Sequence, residues 1–175
     1  MTIKAKLLFI LIGDNATGKT TIQKMLIEKI TDKGWYEKLP CNLLCNIVHP
    51  EIKRKYKSIS FANRSYQEKI EEYKSVEEYF ENHFSDADIA FISTHLIVSH
   101  ISQMIEYSRR WYYNVNAIFL SNSISANNSI NSQISLLNWD ERFIVENPIT
   151  ENWESQLNAI AENIVTLIVN RTSIS

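Results

Sequence analysis

Glycine and proline are scarce in this 175-residue chain, three of each, so no flexible linker divides it and no low-complexity segment interrupts it. The two cysteines, Cys41 and Cys45, stand four apart with no His or Cys at metal-ligand spacing. That excludes a zinc site and a redox C-x-x-C pair, and leaves buried, inert thiols. No apolar run reaches the ~20 residues of a membrane span. Neither sign of charge dominates: 18 Lys and Arg against 20 Asp and Glu leave a net charge of −2, which argues against a broadly basic nucleic-acid coat. Residues 7–12 have the apolarity of a signal-peptide core, but they run straight into a Gly-Lys loop with no small-residue cleavage site. The expectation is therefore a cytoplasmic protein without membrane contact. In such a protein the N-x-[ST] matches at Asn15, Asn63, Asn127 and Asn170 mean nothing.

What is present has the balance of a globular domain, 45% apolar and 22% charged, and the length suits one domain over residues 1–175. Apolar runs of strand length alternate with longer segments of helical period. Strands are expected near 5–12, 42–48, 88–93, 116–121 and 142–146. Helices are expected near 19–33, 66–83, 96–113, 125–137 and 150–170. Strands that read as unbroken Leu, Ile, Val and Phe are covered on both faces, as a parallel sheet between helices demands. The fold class is α/β, with a central parallel sheet of about five strands and helices on both faces. In the last helix Trp153, Leu157, Ile160, Ile164 and Ile168 fall on one apolar stripe. Two polar segments, 53–57 and 121–138, follow the second and fourth expected strands, at the edge where ligands collect in such sheets.

The strongest signal is Gly13-Asp14-Asn15-Ala16-Thr17-Gly18-Lys19-Thr20, a G-x-x-x-x-G-K-[ST] pattern between an apolar strand and a helix carrying Ile22, Met25, Leu26 and Ile30 at helical spacing. Gly13 and Gly18 permit a tight turn in which successive N–H groups converge on a phosphate. The helix N-terminus adds partial positive charge. Lys19 can reach the β- and γ-phosphates, the Thr20 hydroxyl can ligate Mg²⁺, and Asn15, Ala16, Thr17 and Thr21 line the same nest. A nucleoside triphosphate, ATP or a similar nucleotide, with Mg²⁺, is the expected ligand. Asp14 places a carboxylate beside the phosphates, where it can act as a base.

With glycine only at 13, 18 and 34, the Asp-x-x-Gly switch of GTPases and the Leu-Ser-Gly-Gly signature of ABC ATPases are both excluded. The remaining pattern resembles the nucleoside monophosphate kinase group of P-loop proteins, with guanylate kinases the nearest. Besides the loop, the similarity lies in Ser60-Phe61-Ala62-Asn63-Arg64-Ser65-Tyr66 with Val76-Glu77-Glu78-Tyr79-Phe80, and in the run from Ile134 through Trp139 to Asn147. The resemblance implies a three-layer P-loop fold, an acceptor-binding segment at about 49–84 and a lid-like segment at about 121–141. It further implies that Arg64 and Tyr66 hold an acceptor phosphate, Arg through its planar fork.

Two departures stand out. Thr94 occupies the place where the family's third strand ends in an acid, and 121–141 holds no Arg or Lys, so Arg109 or Arg110 is the expected substitute for a lid arginine. His95, at the sheet edge near the acceptor cleft, is a further candidate for binding the acceptor or moving a proton. These residues lead to an ATP-dependent phosphotransferase acting on a small acceptor. The alternative is a nucleotide-binding regulatory module with little or no turnover. A weaker reading, binding of nucleic-acid ends, rests on Lys53, Arg54, Lys55 and Lys57 beside Tyr56.

Overall fold

In the computed structural model, which describes residues 4–173, strand β1 (Lys6–Ile12) runs through the middle of the molecule. Successive strand residues point to opposite faces. Because Leu7 to Ile12 are all buried, both faces of β1 need a cover. Leu7, Phe9 and Leu11 pack beneath α1 (Lys19–Ile30) and α7 (Trp153–Thr172). Leu8, Ile10 and Ile12 pack on the other side, against α4 (Val98–Arg110) and an aromatic cluster from 66–84. The same odd–even division continues in β4 (Ile89–Thr94), where Phe91 joins the first cluster and Ala90 and Ile92 the second.

Six strands form one sheet in the order β2-β3-β4-β1-β5-β6, with β3 (Ser58–Ala62), β5 (Tyr113–Leu120) and β6 (Glu141–Val145) all parallel to β1 and β4. The expected α/β class with five parallel strands is present, but one of the five differs from the expectation. Residues 42–48 were expected as a doubly covered parallel strand. Instead β2 (Asn42–Asn46) is an antiparallel edge partner of β3, with Leu44 exposed and Cys45 buried. The fifth parallel strand is Ser58–Ala62, whose alternating serines hide its strand character. Ser60 is nevertheless buried.

This reversal moves the turn at 53–57. Since β2 runs against the others, the turn into β3 lies at the amino-terminal edge of the sheet and not at the carboxyl edge. Tyr56 is buried in the core, Lys55 Nζ donates to the Arg171 carbonyl at 3.0 Å, and Lys57 Nζ donates to the Lys53 carbonyl. The ring that base stacking requires is inaccessible there.

The expected helix at 66–83 is broken into a 3₁₀ turn (Tyr66–Lys69), α2 (Ile70–Tyr73), α3 (Val76–Glu78) and a π turn (Tyr79–His83). Lys74, at φ +60°, interrupts the path, and Ser75 restarts it by accepting the Glu78 N–H at 3.0 Å. Tyr66, Tyr73, Tyr79 and Phe80 stack among themselves beneath the break. The segment 121–141 likewise holds two short helices, α5 (Ser121–Ala126) and α6 (Asn128–Ser135). In α7 the expected stripe is buried at Leu157, Ile160, Ile164 and Ile168, whereas Trp153 at its start is half exposed. No helix among the described residues is long and apolar enough to cross a membrane.

Candidate functional site

Five parallel strands bring five loops to one edge. The loop after β1 (13–18) therefore meets the segments after β3 (63–65), β4 (95–97), β5 (from Ser121) and β6 (146–152). Gly13 N donates to the Thr94 carbonyl at 3.1 Å, which ties the loop's first residue to the end of β4. A Cβ on Gly13 would stand 2.7 Å from Thr17 Oγ1, so a side chain there would displace the Thr17 hydroxyl. Gly18 has φ +98°, and a Cβ there would meet Leu157 at 3.1 Å, so the turn itself requires glycine at this position. Ala16 adopts φ +60° between them.

Helix α1 opens directly from Gly18 with no side-chain cap, and its first backbone bond is Ile22 N to Gly18 O at 3.0 Å. The N–H groups of Lys19, Thr20 and Thr21 have no partner within the helix, so they form an open set of donors at its positive end. Lys19 is buried and folds back on the loop, with Nζ donating to the carbonyls of Gly13 at 2.5 Å and Asp14 at 2.6 Å. Burial pulls the ammonium down to about 8, against the opposing pull of the Glu68 and Asp14 carboxylates. A cation held at such cost, on carbonyls that a stronger anion can replace, suits phosphate.

The Ser- and Asn-rich stretch after β5 supports this loop from behind. Asn147, buried at the end of β6, donates Nδ2 to the Thr17 carbonyl at 3.0 Å, and Asn122 Nδ2 reaches the same oxygen at 3.4 Å. Asn147 Oδ1 accepts the Asn122 N–H at 3.2 Å, and Ser121 Oγ accepts the Asn147 N–H at 2.8 Å. Asn127 reaches the Asp14 carboxylate at 3.4 Å. Three loops are thus laced together around Thr17.

Two cavities flank the loop. One of about 360 Å³ lies beside Ala16, Thr17, Gly18 and Thr21, walled by Asn122, Asn147, Pro148, Ile149, Trp153 and Gln156. Its size and its mixture of apolar walls with a few amides suit a small organic ligand. The other, about 170 Å³, lies between residues 15–21 and Asn63, Ser65 and Glu68. A larger groove of about 810 Å³ runs between Trp35 and Trp153, but Glu28, Glu151 and Glu154 line it, which makes it unsuited to an anion.

The remaining expected site residues divide into two sets. Asp14 sits exposed on the loop, and His95 Nε2 approaches Glu68 Oε1 at 3.3 Å beside the smaller cavity. Arg64 is exposed and paired with Glu68 at 3.0 Å, and Tyr66 is buried in the aromatic cluster, so neither presents itself to an acceptor phosphate. Arg109 and Arg110 are not brought to the loop. They end α4, which starts at the carboxyl edge and finishes at the amino edge about 20 Å away by its length. Arg109 holds Asp140 at 3.2 Å and Asn138, while Arg110 pairs with Glu106 at 2.5 Å and covers the Tyr107 ring. Arg109 thus anchors the turn before β6, and Arg110 stays on the surface of α4. Thr94 uses its hydroxyl on Gln67 at 3.1 Å, not on the loop.

Sequence reasoning missed Glu68, Asn63 and Ser65. Asn63 and Ser65 lie in the run 60–66 whose resemblance put the roles on Arg64 and Tyr66 instead, and nothing local marks Glu68 once β3 goes unseen. The chain matches no protein-family model and no curated protein sequence. The site's geometry therefore carries the functional argument alone.

Proposed function

We propose that the chain is a P-loop nucleotide-binding protein of the nucleoside monophosphate kinase-like type, which binds a nucleoside triphosphate with Mg²⁺ and transfers its terminal phosphate to a small acceptor. The observation that carries this reading is buried Lys19, parked on the loop's own carbonyls at an uncapped helix N-terminus between two cavities. The triphosphate lies along the loop, its N–H groups and Lys19 neutralise phosphate charge, and the nucleoside occupies the cavity beside Trp153. Asn122, one of its walls, keeps a buried Oδ1 that has no partner among the described residues.

Among the described residues no cluster of three His, Cys, Asp or Glu side chains is placed to hold a metal. The residues fit Mg²⁺ in the way that phosphate-bound Mg²⁺ is held, through the exposed Thr20 hydroxyl in the first turn of α1 together with phosphate oxygens. When bound, the ion supplies charge neutralisation to the transferring phosphate. Thr20 would hold the ion, and Lys19 would add positive charge to the same phosphates.

Titration calorimetry with ATP and GTP in the presence of Mg²⁺ tests the reading. Micromolar binding by the wild type and a loss of about 100-fold or more in Lys19→Ala are expected. No binding of either nucleotide refutes it.

A second reading, a nucleotide-dependent binding module with slow turnover, is favoured by one specific observation. Arg142 donates to the Ser135 carbonyl at 2.5 Å and Arg109 to the turn before β6, so the lid-like segment brings no arginine to the loop. Tight binding with turnover below about one per minute selects this reading over the kinase.

A further inference from the structure

In the cavity between the Gly13–Thr20 loop and the end of β3, the loop side carries Lys19, while the wall from the β3 side carries an acid and neutral hydrogen-bonding groups where a phosphate-accepting site needs cations. We infer that the acceptor is an uncharged hydroxyl compound, and that Glu68 is the base that takes its proton. This inference rests on the phosphotransferase reading and adds to it the chemical class of the acceptor.

Three observations support it independently. First, Asn63, Ser65 and Glu68 line this cavity opposite Lys19, and none of them is a cation. Second, Ser65 is fully buried, and its Oγ has no partner among the described residues; neither has Asn63 Oδ1. Buried hydroxyl and amide oxygens left unsatisfied beside a cavity are costly unless a ligand completes them, and a hydroxyl group can both donate to one and accept from the other. Third, Glu68 is held rather than free to swing. Arg64 Nη1 grips Oε2 at 3.0 Å, while His95 Nε2 stands 3.3 Å from Oε1 without the alignment of a hydrogen bond.

The cations that follow β3 already hold carboxylates. Arg64 is paired with Glu68 itself, and Lys69 is paired with Glu72 at 2.8 Å. A phosphate dianion placed against Asn63, Ser65 and Glu68 would face a carboxylate with Lys19 already committed to the nucleotide. Asp14, the other carboxylate near Lys19, is exposed and does not line this cavity.

The acceptor hydroxyl oxygen attacks the γ-phosphorus and forms a new O–P bond, while its proton passes to the Glu68 carboxylate. The bond from the γ-phosphorus to the β,γ-bridging oxygen breaks, its electron pair stays on that oxygen, and the nucleoside diphosphate leaves. Glu68 then returns the proton to solvent.

Water is the smallest hydroxyl acceptor and serves as the first probe. Basal MgATP hydrolysis is measured for the wild type, Glu68→Gln and Glu68→Asp, with MgATP affinity measured in parallel by calorimetry. The expected result is a fall of tenfold or more in Glu68→Gln, partial recovery in Glu68→Asp, and a Kd for MgATP within about twofold throughout. The wild type is then supplied with a panel of nucleosides and small polyols, and separately with nucleoside monophosphates, and the products are read by ³¹P NMR. Phosphomonoesters from the first panel are expected. A new phosphoanhydride from the monophosphates, unchanged hydrolysis in Glu68→Gln, or binding with no turnover on any acceptor overturns the inference while leaving nucleotide binding intact. Failure of the wild type to bind MgATP defeats the underlying reading instead.

Discussion

Lys19 is disfavoured in its charged form by burial, with the folded value lowered to about 8 from an ordinary 10.5. The unfolded chain therefore binds more protons than the folded one between about pH 8 and 10.5, and the stability of the free protein rises with pH across that window. Below it the fold carries a charge-burial cost of about 3 kcal/mol on the scale of 1.36 kcal/mol per pH unit. A phosphate beside the ammonium reverses the balance by favouring the charged form. At pH 8.5 nucleotide binding should take up a proton, seen as a calorimetric enthalpy that differs between Tris and HEPES buffers, and affinity should fall as pH rises through 8 and beyond. Binding with no proton uptake at that pH would contradict the role of Lys19. Gly18 does not tolerate change, because it combines φ +98° with Leu157 at its back.

At the scale of elements, Asn147 joins three loops that the sequence separates widely. Its side chain receives and gives hydrogen bonds to Thr17, Asn122 and Ser121. Asn147→Ala leaves the Asn122 N–H without its side-chain acceptor and the Thr17 carbonyl with only the longer bond from Asn122 Nδ2, in a partly buried setting, a loss of about 1–2 kcal/mol. Urea unfolding should register that loss, and MgATP affinity should fall about tenfold because the loop is no longer pre-set. An unchanged affinity would mean that the loop holds its shape unaided. Elements also decide what was legible beforehand. β1, β4 and β5 are buried on both faces, so unbroken Leu, Ile, Val and Phe announced them. β3 covers two faces with only Ile59, Phe61 and Ala62 among serines, and it follows a run of lysines, so its pattern resembled a loop. Missing it hid Glu68 as well: among Glu68, Lys69, Glu71, Glu72 and Lys74 its charge resembles any solvated helix face. Only the position of β3 beside β4 turns that charge toward Lys19. The glycine-lysine turn between β1 and α1 was legible because its pattern is local, whereas Arg109 and Arg110 misled because nearness to a strand in sequence says nothing about which edge a helix end reaches.

For the whole molecule, the candidate ligand spans contacts from β1, β5 and β6 and so links parts of the sheet that otherwise meet only through the strands. Ligand at 100 times its Kd adds about 2.7 kcal/mol to the folded state. In a chain of this size that raises Tm by roughly 5–10 °C. Thermal unfolding with and without MgATP checks the figure, and Lys19→Ala should show no shift. At the opposite edge, Lys4 pairs with Asp88 at the start of β4, and Arg171 near the end of α7 pairs with Glu141 at the start of β6. Both ends of the described chain therefore stand at the pole away from the cavities. A tether, fluorescent reporter or immobilising tag fused at either end would leave the mouth of the site pointing outward, so the protein can be fixed to a surface without shading the ligand's approach.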